Sequence, residues 1–255
     1  MLHGIDHLVI VVPDLDAAIK TYRDLGFTVV VGGRHTGVGT DNALIAFRDS
    51  SYLELVGFYE PRPDHRWWAP LQQGGGLVDF CLQTDDLAGD AGVLRAAGVD
   101  MGDLEPRHRR RPDGVEVRWV CALARGVHRG VAPFVLAEET GRDERVPRQR
   151  AHANGVTGVG RVSVAVHDLA AVRGWYEEAL GVRGQDVACP ELGAAGVRFP
   201  IGPHTFEFLA ATGAGAVRDW LAARGASPYA AMLVGAPRAI PLDLGRTWGA
   251  RLALA

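Results

Sequence analysis

The sequence predicts an α+β protein built from paired βαβββ modules. Three observations predict it. An apolar strand-like run, an Asp-Leu pair, a helix-period segment and a glycine recur in that order at residues 5–27, 76–99 and 159–182. Each recurrence is followed by short extended segments separated by Gly, Asp, Asn or Pro, the punctuation of hairpins. The length, 255 residues with 47% hydrophobic and 22% charged, suits about two ordinary globular domains and excludes disorder or collagen-like repetition.

Each module opens on a strand, IDHLVIVV, GLVDFCLQ or VGRVSVAV. Asp14, Asp86 and Asp168 then stand where an N-cap carboxylate accepts free backbone N–H groups and faces the positive end of the helix dipole. In the first helix Leu15, Ile19, Tyr22 and Leu25 share one face, and in the third Leu169, Val172, Tyr176 and Leu180 do so. Gly26, Gly98 and Gly181 supply the left-handed residue that ends a helix. The extended segments are FTVVVGG, NALIAFRD and SSYLELVGF in the first module. They are VEVRWVCALA and VAPFVLAEE in the second, and GVRFPIGP and HTFEFLAA in the third. A fourth unit is degenerate: a helix at 217–225 and a strand at 228–235 lead to a terminal ARLALA strand with no second Asp-Leu helix start. The charged, apolar-poor stretch 141–155 reads as a linker, so the expected organisation is a first domain at 1–140 and a second at 156–255.

A net charge of -3 offers no global field for nucleic acid or an anionic membrane. The one basic run, RHRRRPDGVEVRW, is diluted by Asp103, Glu105, Asp113 and Glu116. Lys20 is the single lysine, on a polar helix stretch, which removes Schiff-base chemistry. Cys81, Cys121 and Cys189 are widely spaced in apolar surroundings and read as buried thiols in a reducing compartment, with the cytoplasm as the expected location. The first residues lack the pattern of a signal peptide, and no apolar run approaches a membrane span.

The IDHLVIVVPDLDAAIKTYRDLGF start, the YLELVG strand and the GLVDFCLQTDDL restart resemble the vicinal oxygen chelate superfamily of glyoxalase I, extradiol dioxygenases, methylmalonyl-CoA epimerase and bleomycin- or fosfomycin-resistance proteins. GGRHTGVGTDNALIAF and RRRPDGVEVRW resemble its glyoxalase-like domain subgroup. The resemblance covers residues 4–140 and, more loosely, 157–235. It implies two tandem glyoxalase-like domains, each of cup-shaped mixed sheets, and a divalent metal (Fe, Mn, Ni, Zn or Mg) bound by residues of the first and last strands. The implied ligands are His7, Glu54 and Asp79. The fourth position falls near Ala137, with Glu138 beside it on the opposite strand face. One histidine with two carboxylates leaves open positions for a bidentate oxygen substrate. Each of the three also has a plainer reading, as a core histidine or a solvated strand carboxylate. In the second domain Arg161 takes the place of His7, Glu207 that of Glu54 and Ala230 the fourth-module position. Arginine does not ligate metals, so a salt bridge between Arg161 and Glu207 is expected there, with a structural role in packing or in a homodimer.

The glycine-punctuated segment GGRHTGVGTDNALI places Arg34, His35, Thr40 and Asn42 before the strand of Glu54, where they are candidates for substrate contact, His35 as acid or base and Arg34 as anion clamp. Arg111 and Arg118 are candidate anion contacts. Trp67 and Trp68 wall a pocket or pack the connector between modules. The resemblance implies a metal-dependent enzyme of lyase, isomerase or dioxygenase type acting on a small oxygenated or carbonyl-bearing metabolite, with Glu54 and His35 at the chemistry. The alternative is a metal-free binding protein that sequesters a small molecule, as bleomycin-resistance proteins do.

Overall fold

The computed structural model describes residues 2–255. Its first half runs β1 (Leu2–Val11), α1 (Leu15–Asp24), β2 (Val30–His35), β3 (Thr40–Ala46), β4 (Tyr52–Phe58), α2 (Trp68–Gln72), β5 (Gly76–Thr84), α3 (Leu87–Ala96), β6 (Glu105–Arg110), β7 (Glu116–Ala122) and β8 (Phe134–Glu138). The second half runs α4 (Arg142–Arg145), β9 (Gly158–Ala165), α5 (Leu169–Leu180), β10 (Gln185–Cys189), β11 (Ala194–Ile201), β12 (His204–Ala211), α6 (Ala216–Arg224), β13 (Ser227–Val234), β14 (Ile240–Pro241) and β15 (Leu252–Leu254). All three expected caps form: Asp14, Asp86 and Asp168 accept from the backbone N–H of Ala17, Gly89 and Ala171 at 2.9, 3.0 and 2.9 Å.

The first eight strands close into a barrel in the order β1-β4-β3-β2-β6-β7-β8-β5, and the other seven form a sheet in the order β10-β11-β12-β9-β13-β15-β14. Each complete module pairs its first and last strands in parallel, β1 with β4, β5 with β8 and β9 with β12. The antiparallel pair β1/β5 joins the two modules of the first half. The expected cup goes further and closes, because β2 meets β6 with Arg34 opposite Arg110 and His35 opposite Arg109. Gly33 permits that seam: its φ is +121°, and a Cβ there would lie 2.0 Å from the Arg110 carbonyl. The second half stays open because β13 pairs with β9 but is followed only by the short β14 and β15.

The same irregularity marks every opening strand. The pairing register shifts between Ile5 and His7 in β1, between Asp79 and Leu77 in β5, and between Arg161 and Val159 in β9. The extra residues are Asp6, Val78 and Gly160, each one place before the predicted ligand position, and such bulges re-aim the neighbouring side chain.

Strand β1 is buried on both faces. Val9 and Val11 face the barrel interior with Val56, Cys81, Phe134 and Leu136. Leu8, Ile10 and Val12 face outward into a core shared with Val162 and Val164 of β9, Phe206 and Phe208 of β12, and Tyr176 of α5. Phe80 meets Phe206 at 5.1 Å between ring centroids, and the Tyr176 hydroxyl donates to the Val131 carbonyl at 3.1 Å, so both contacts cross between the halves. The charged stretch expected to be a linker is more than a tether, because α4 carries Arg145 into the base of the barrel, where it is buried. None of the helices among the described residues is long and apolar enough to cross a membrane.

Because Phe206 seals the junction of barrel and sheet, Phe206→Ala is expected to cost about 3–5 kcal/mol. Chemical denaturation should show this as a lower midpoint, with barrel and sheet still unfolding together.

Candidate functional site

The barrel encloses a cavity of about 300 Å³. Alternation along the strands aims His7 of β1, His35 of β2, Asn42 of β3, and Tyr52 and Glu54 of β4 at one wall. Trp119 and Cys121 of β7, with Phe134 and Leu136 of β8, form an apolar wall.

The polar wall centres on the buried carboxylate of Glu54. One oxygen lies 3.3 Å from His7 Nε2. The other accepts from Asn42 Nδ2 at 2.6 Å and lies 3.5 Å from His35 Nε2. On its far side His7 Nδ1 is 2.7 Å from the carboxylate of Asp6, and its ring stacks on Tyr52 with centroids 4.6 Å apart. His35 is fixed by Thr40, whose Oγ1 is 2.9 Å from its Nδ1. Asp6 is fully buried and paired with Arg142 and Arg145. Arg145 also binds Glu138, at 2.7 Å, and donates to the Tyr52 hydroxyl at 2.5 Å.

These contacts set the charge states. Burial opposes the charge on Asp6, but Arg145, His7 and Arg142 outweigh it and hold the carboxyl well below its usual range. Burial also opposes charge on His7, yet its hydrogen bonds to Asp6 and Glu54 raise its pKa above the ordinary 6.5. For Glu54 burial is again overcome, by His7, His35 and Asn42, which bring it down to about 2. His35 lacks comparable compensation, and burial pushes it down to about 4. At neutral pH the wall therefore holds a carboxylate at Glu54 and a neutral imidazole at His35, while the contacts of His7 favour its charged form.

His7, Glu54, His35, Thr40 and Asn42 are brought together as the sequence suggested, and all line the cavity. Four expected residues are not. Asp79 is inside the barrel, but its carboxylate is taken by Arg66 at 2.8 Å and by Trp67 Nε1 at 2.9 Å. Arg34 points outward, paired with Asp41 at 3.0 Å over the Tyr59 ring. Arg111 binds Asp113 and Glu144, and Arg118 binds Glu116, at the surface. The fourth ligand position also moves. Val9 lies opposite Glu54, and its module counterpart Cys81 lies opposite Phe134, so the place of Glu54 in the second module belongs to Phe134 and not to Ala137. Trp67 lines the cavity while Trp68 packs against Phe58 at 5.1 Å. In the second half Arg161 and Glu207 do pair, at 3.7 Å, with Arg198 closer at 2.5 Å and Ser163 donating at 2.9 Å.

Sequence reasoning missed Arg109, Arg145, Arg66 and Tyr52. For Arg109 a signal was present: in RHRRR, read as a strand, positions 107 and 109 share one face and 108 and 110 the other. For Arg145 the charged tether offered none.

The implied ligand set does not assemble. Of the four expected positions, only His7 and Glu54 meet; Asp79 is neutralised by Arg66, and Phe134 offers no ligand. Among the described residues, one group of three offers ligand atoms within 4.8 Å of one another, Asp6, His7 and Cys81. There Asp6 is committed to two arginines, and burial raises the Cys81 pKa and keeps the thiol protonated.

A barrel of two βαβββ modules with His7 on its opening strand facing Glu54 on its closing strand fits a vicinal oxygen chelate protein. The family model described as glyoxalase-like domain matches residues 5–180, and the chain belongs to that family. Among solved structures it resembles a hypothetical protein from Staphylococcus aureus over 100% of this chain and 99% of that one, with a TM-score of 0.73 and 14% identity. It also resembles a mutant of 4-hydroxymandelate synthase from Streptomyces coelicolor over 98% and 75% of the respective chains, with a TM-score of 0.64 and 15% identity. A xylose isomerase-like TIM barrel/4-hydroxyphenylpyruvate dioxygenase fusion protein matches over 92% of this chain and 36% of its own, at TM-score 0.53 and 13% identity. At these identities the likeness is one of fold. No curated protein matches the chain.

Two outcomes follow from the charge pattern. Arg145→Met leaves the buried Asp6 short of one of its two arginine partners, and a loss of about 3–5 kcal/mol is expected in denaturant unfolding. His35, protonated more readily unfolded than folded, contributes stability that is complete above pH 6.5 and is lost as the pH falls toward 4. The loss, on the order of 2–3 kcal/mol, should show in melting curves recorded across that window and be absent in His35→Gln. Loss of the Glu54 contribution, which begins below about pH 4.5, should persist in that variant.

Proposed function

We propose that the barrel binds a small oxygenated organic molecule directly, without a metal ion, and supports proton transfer on it through His7. The observation that carries this reading is the chain Asp6–His7–Glu54, which begins at a fully buried carboxylate and ends on the cavity wall. Asp6 holds the imidazole by Nδ1 and favours its charged form, and Nε2 is the nitrogen turned to Glu54 and the cavity. A ligand oxygen placed there meets a charged donor. Glu54, already flanked by Asn42 and His35, receives the proton of an acidic C–H or O–H only as His7 and the ligand share the charge between them. His35, neutral and held by Thr40, contributes orientation and hydrogen bonding to the same wall.

A metal-dependent lyase, isomerase or dioxygenase is the second reading, favoured by the two imidazoles that face Glu54 at 3.3 and 3.5 Å. Elemental analysis separates the two. The first expects no stoichiometric divalent ion and the same melting temperature with and without EDTA; one tight ion per chain, lost in Glu54→Gln, would establish the second.

The charge on His7 is open to direct measurement. With its pKa above 6.5, its stabilising contribution is full below that value and is lost as the pH rises through the folded pKa. Nitrogen NMR of the labelled ring should report imidazolium at pH 7 in the wild type; neutral imidazole would remove the proposed proton donor.

A further inference from the structure

We infer that the molecule taken by this cavity is a small aromatic monoanion whose acidic head is held by Arg109, an assignment that rests on the barrel being a ligand site. Apart from Asp64 at the exposed rim, the charges of the wall pair off one by one. Arg62 has Glu60 at 3.3 Å, Arg66 has Asp79 at 2.8 Å, Arg107 has Glu105, and Arg145 has Asp6 and Glu138. Glu54 has His7. Arg109 is the exception. Only 3% exposed, it donates through Nη1 and Nη2 to the carbonyls of Gly32 and Arg145, and among the described residues no carboxylate stands within ion-pair distance. Carbonyls satisfy N–H groups but leave the net charge unneutralised, and an unpaired buried charge is costly unless something pairs with it.

Among the described residues, a second group of the same wall has no acceptor. The Tyr52 hydroxyl accepts from Arg145 at 2.5 Å, so its own proton is free to be donated, and Tyr52 and Arg109 both line the cavity. A guanidinium and a hydroxyl proton are the donors that a carboxylate or an equivalent oxyanion uses. The rest of the ligand is set by the opposite wall, where Trp67, Trp119, Phe134 and Leu136 present apolar and ring surface. A dry cavity of about 150 Å³ accepts benzene, so about 300 Å³ accommodates one ring with a short acidic arm.

The test uses the full chain with benzoate and its neutral isostere benzamide, followed by calorimetry or by the fluorescence of Trp67 and Trp119. Benzoate is expected to bind about 10- to 100-fold more tightly than benzamide. In Arg109→Met that preference should fall to within about threefold while benzamide affinity is kept. Arg109→Gln, which retains amide donors toward the Gly32 and Arg145 carbonyls, gives the same readout if the methionine variant does not fold. Equal binding of the two probes by the wild type, or a preference that survives loss of Arg109, overturns the anion assignment and leaves the ligand-site reading standing. Binding of neither probe overturns both.

Discussion

A carboxylate sealed from water must be answered by cations, and the buried Asp6 organises much of this protein by that demand. It stands at the bulge of β1, so its neighbour His7 is turned into the barrel while its own oxygens reach Arg142 and Arg145. Both arginines come from the segment between the halves, which is thereby drawn under the barrel. Arg145 then ties Tyr52 and Glu138 to the same point. The charge on His7, the orientation of Tyr52 and the path of the chain between barrel and sheet thus share one electrostatic origin.

Closure of the barrel is the second constraint. An open cup would leave the polar wall in water, where a Glu–His pair is worth little. The Gly32–Gly33 pair lets β2 approach β6, and the seam sets Arg109 directly opposite His35. Inside, the low dielectric strengthens every charge interaction and penalises every uncompensated charge, and so the two histidines on either side of Glu54 shift in opposite directions, His7 braced by two carboxylates and His35 held neutral by burial, with Arg109 adding to that effect.

Much of this was legible in the sequence, because the module repeats and its signals are local. Asp14, Asp86 and Asp168 announce their helices through one hydrogen bond each. His7 and Glu54 could be paired because the family resemblance places ligands on the first and last strands of a module. What sequence could not supply was long-range. Nothing local says that Arg66 turns back onto Asp79, that Arg145 crosses 139 positions to Asp6, or that the counterpart of Glu54 in the second module is Phe134, which depends on the register of a parallel pair. Arg34 was misplaced because alternation puts it on the face opposite His35, on the outside of the barrel.

The bulge before each ligand position outlasts the side chain it aims. It precedes a histidine in one copy, an aspartate tied to a tryptophan and an arginine in the next, and an arginine beside a glutamate in the third. Geometry and chemistry have therefore been inherited separately: the duplications kept an address in the backbone and let its occupant change. For engineering, position 161, now held by an arginine paired with Glu207, is an address already built into the backbone, so a new function in the open sheet asks for new side chains before it asks for any new fold.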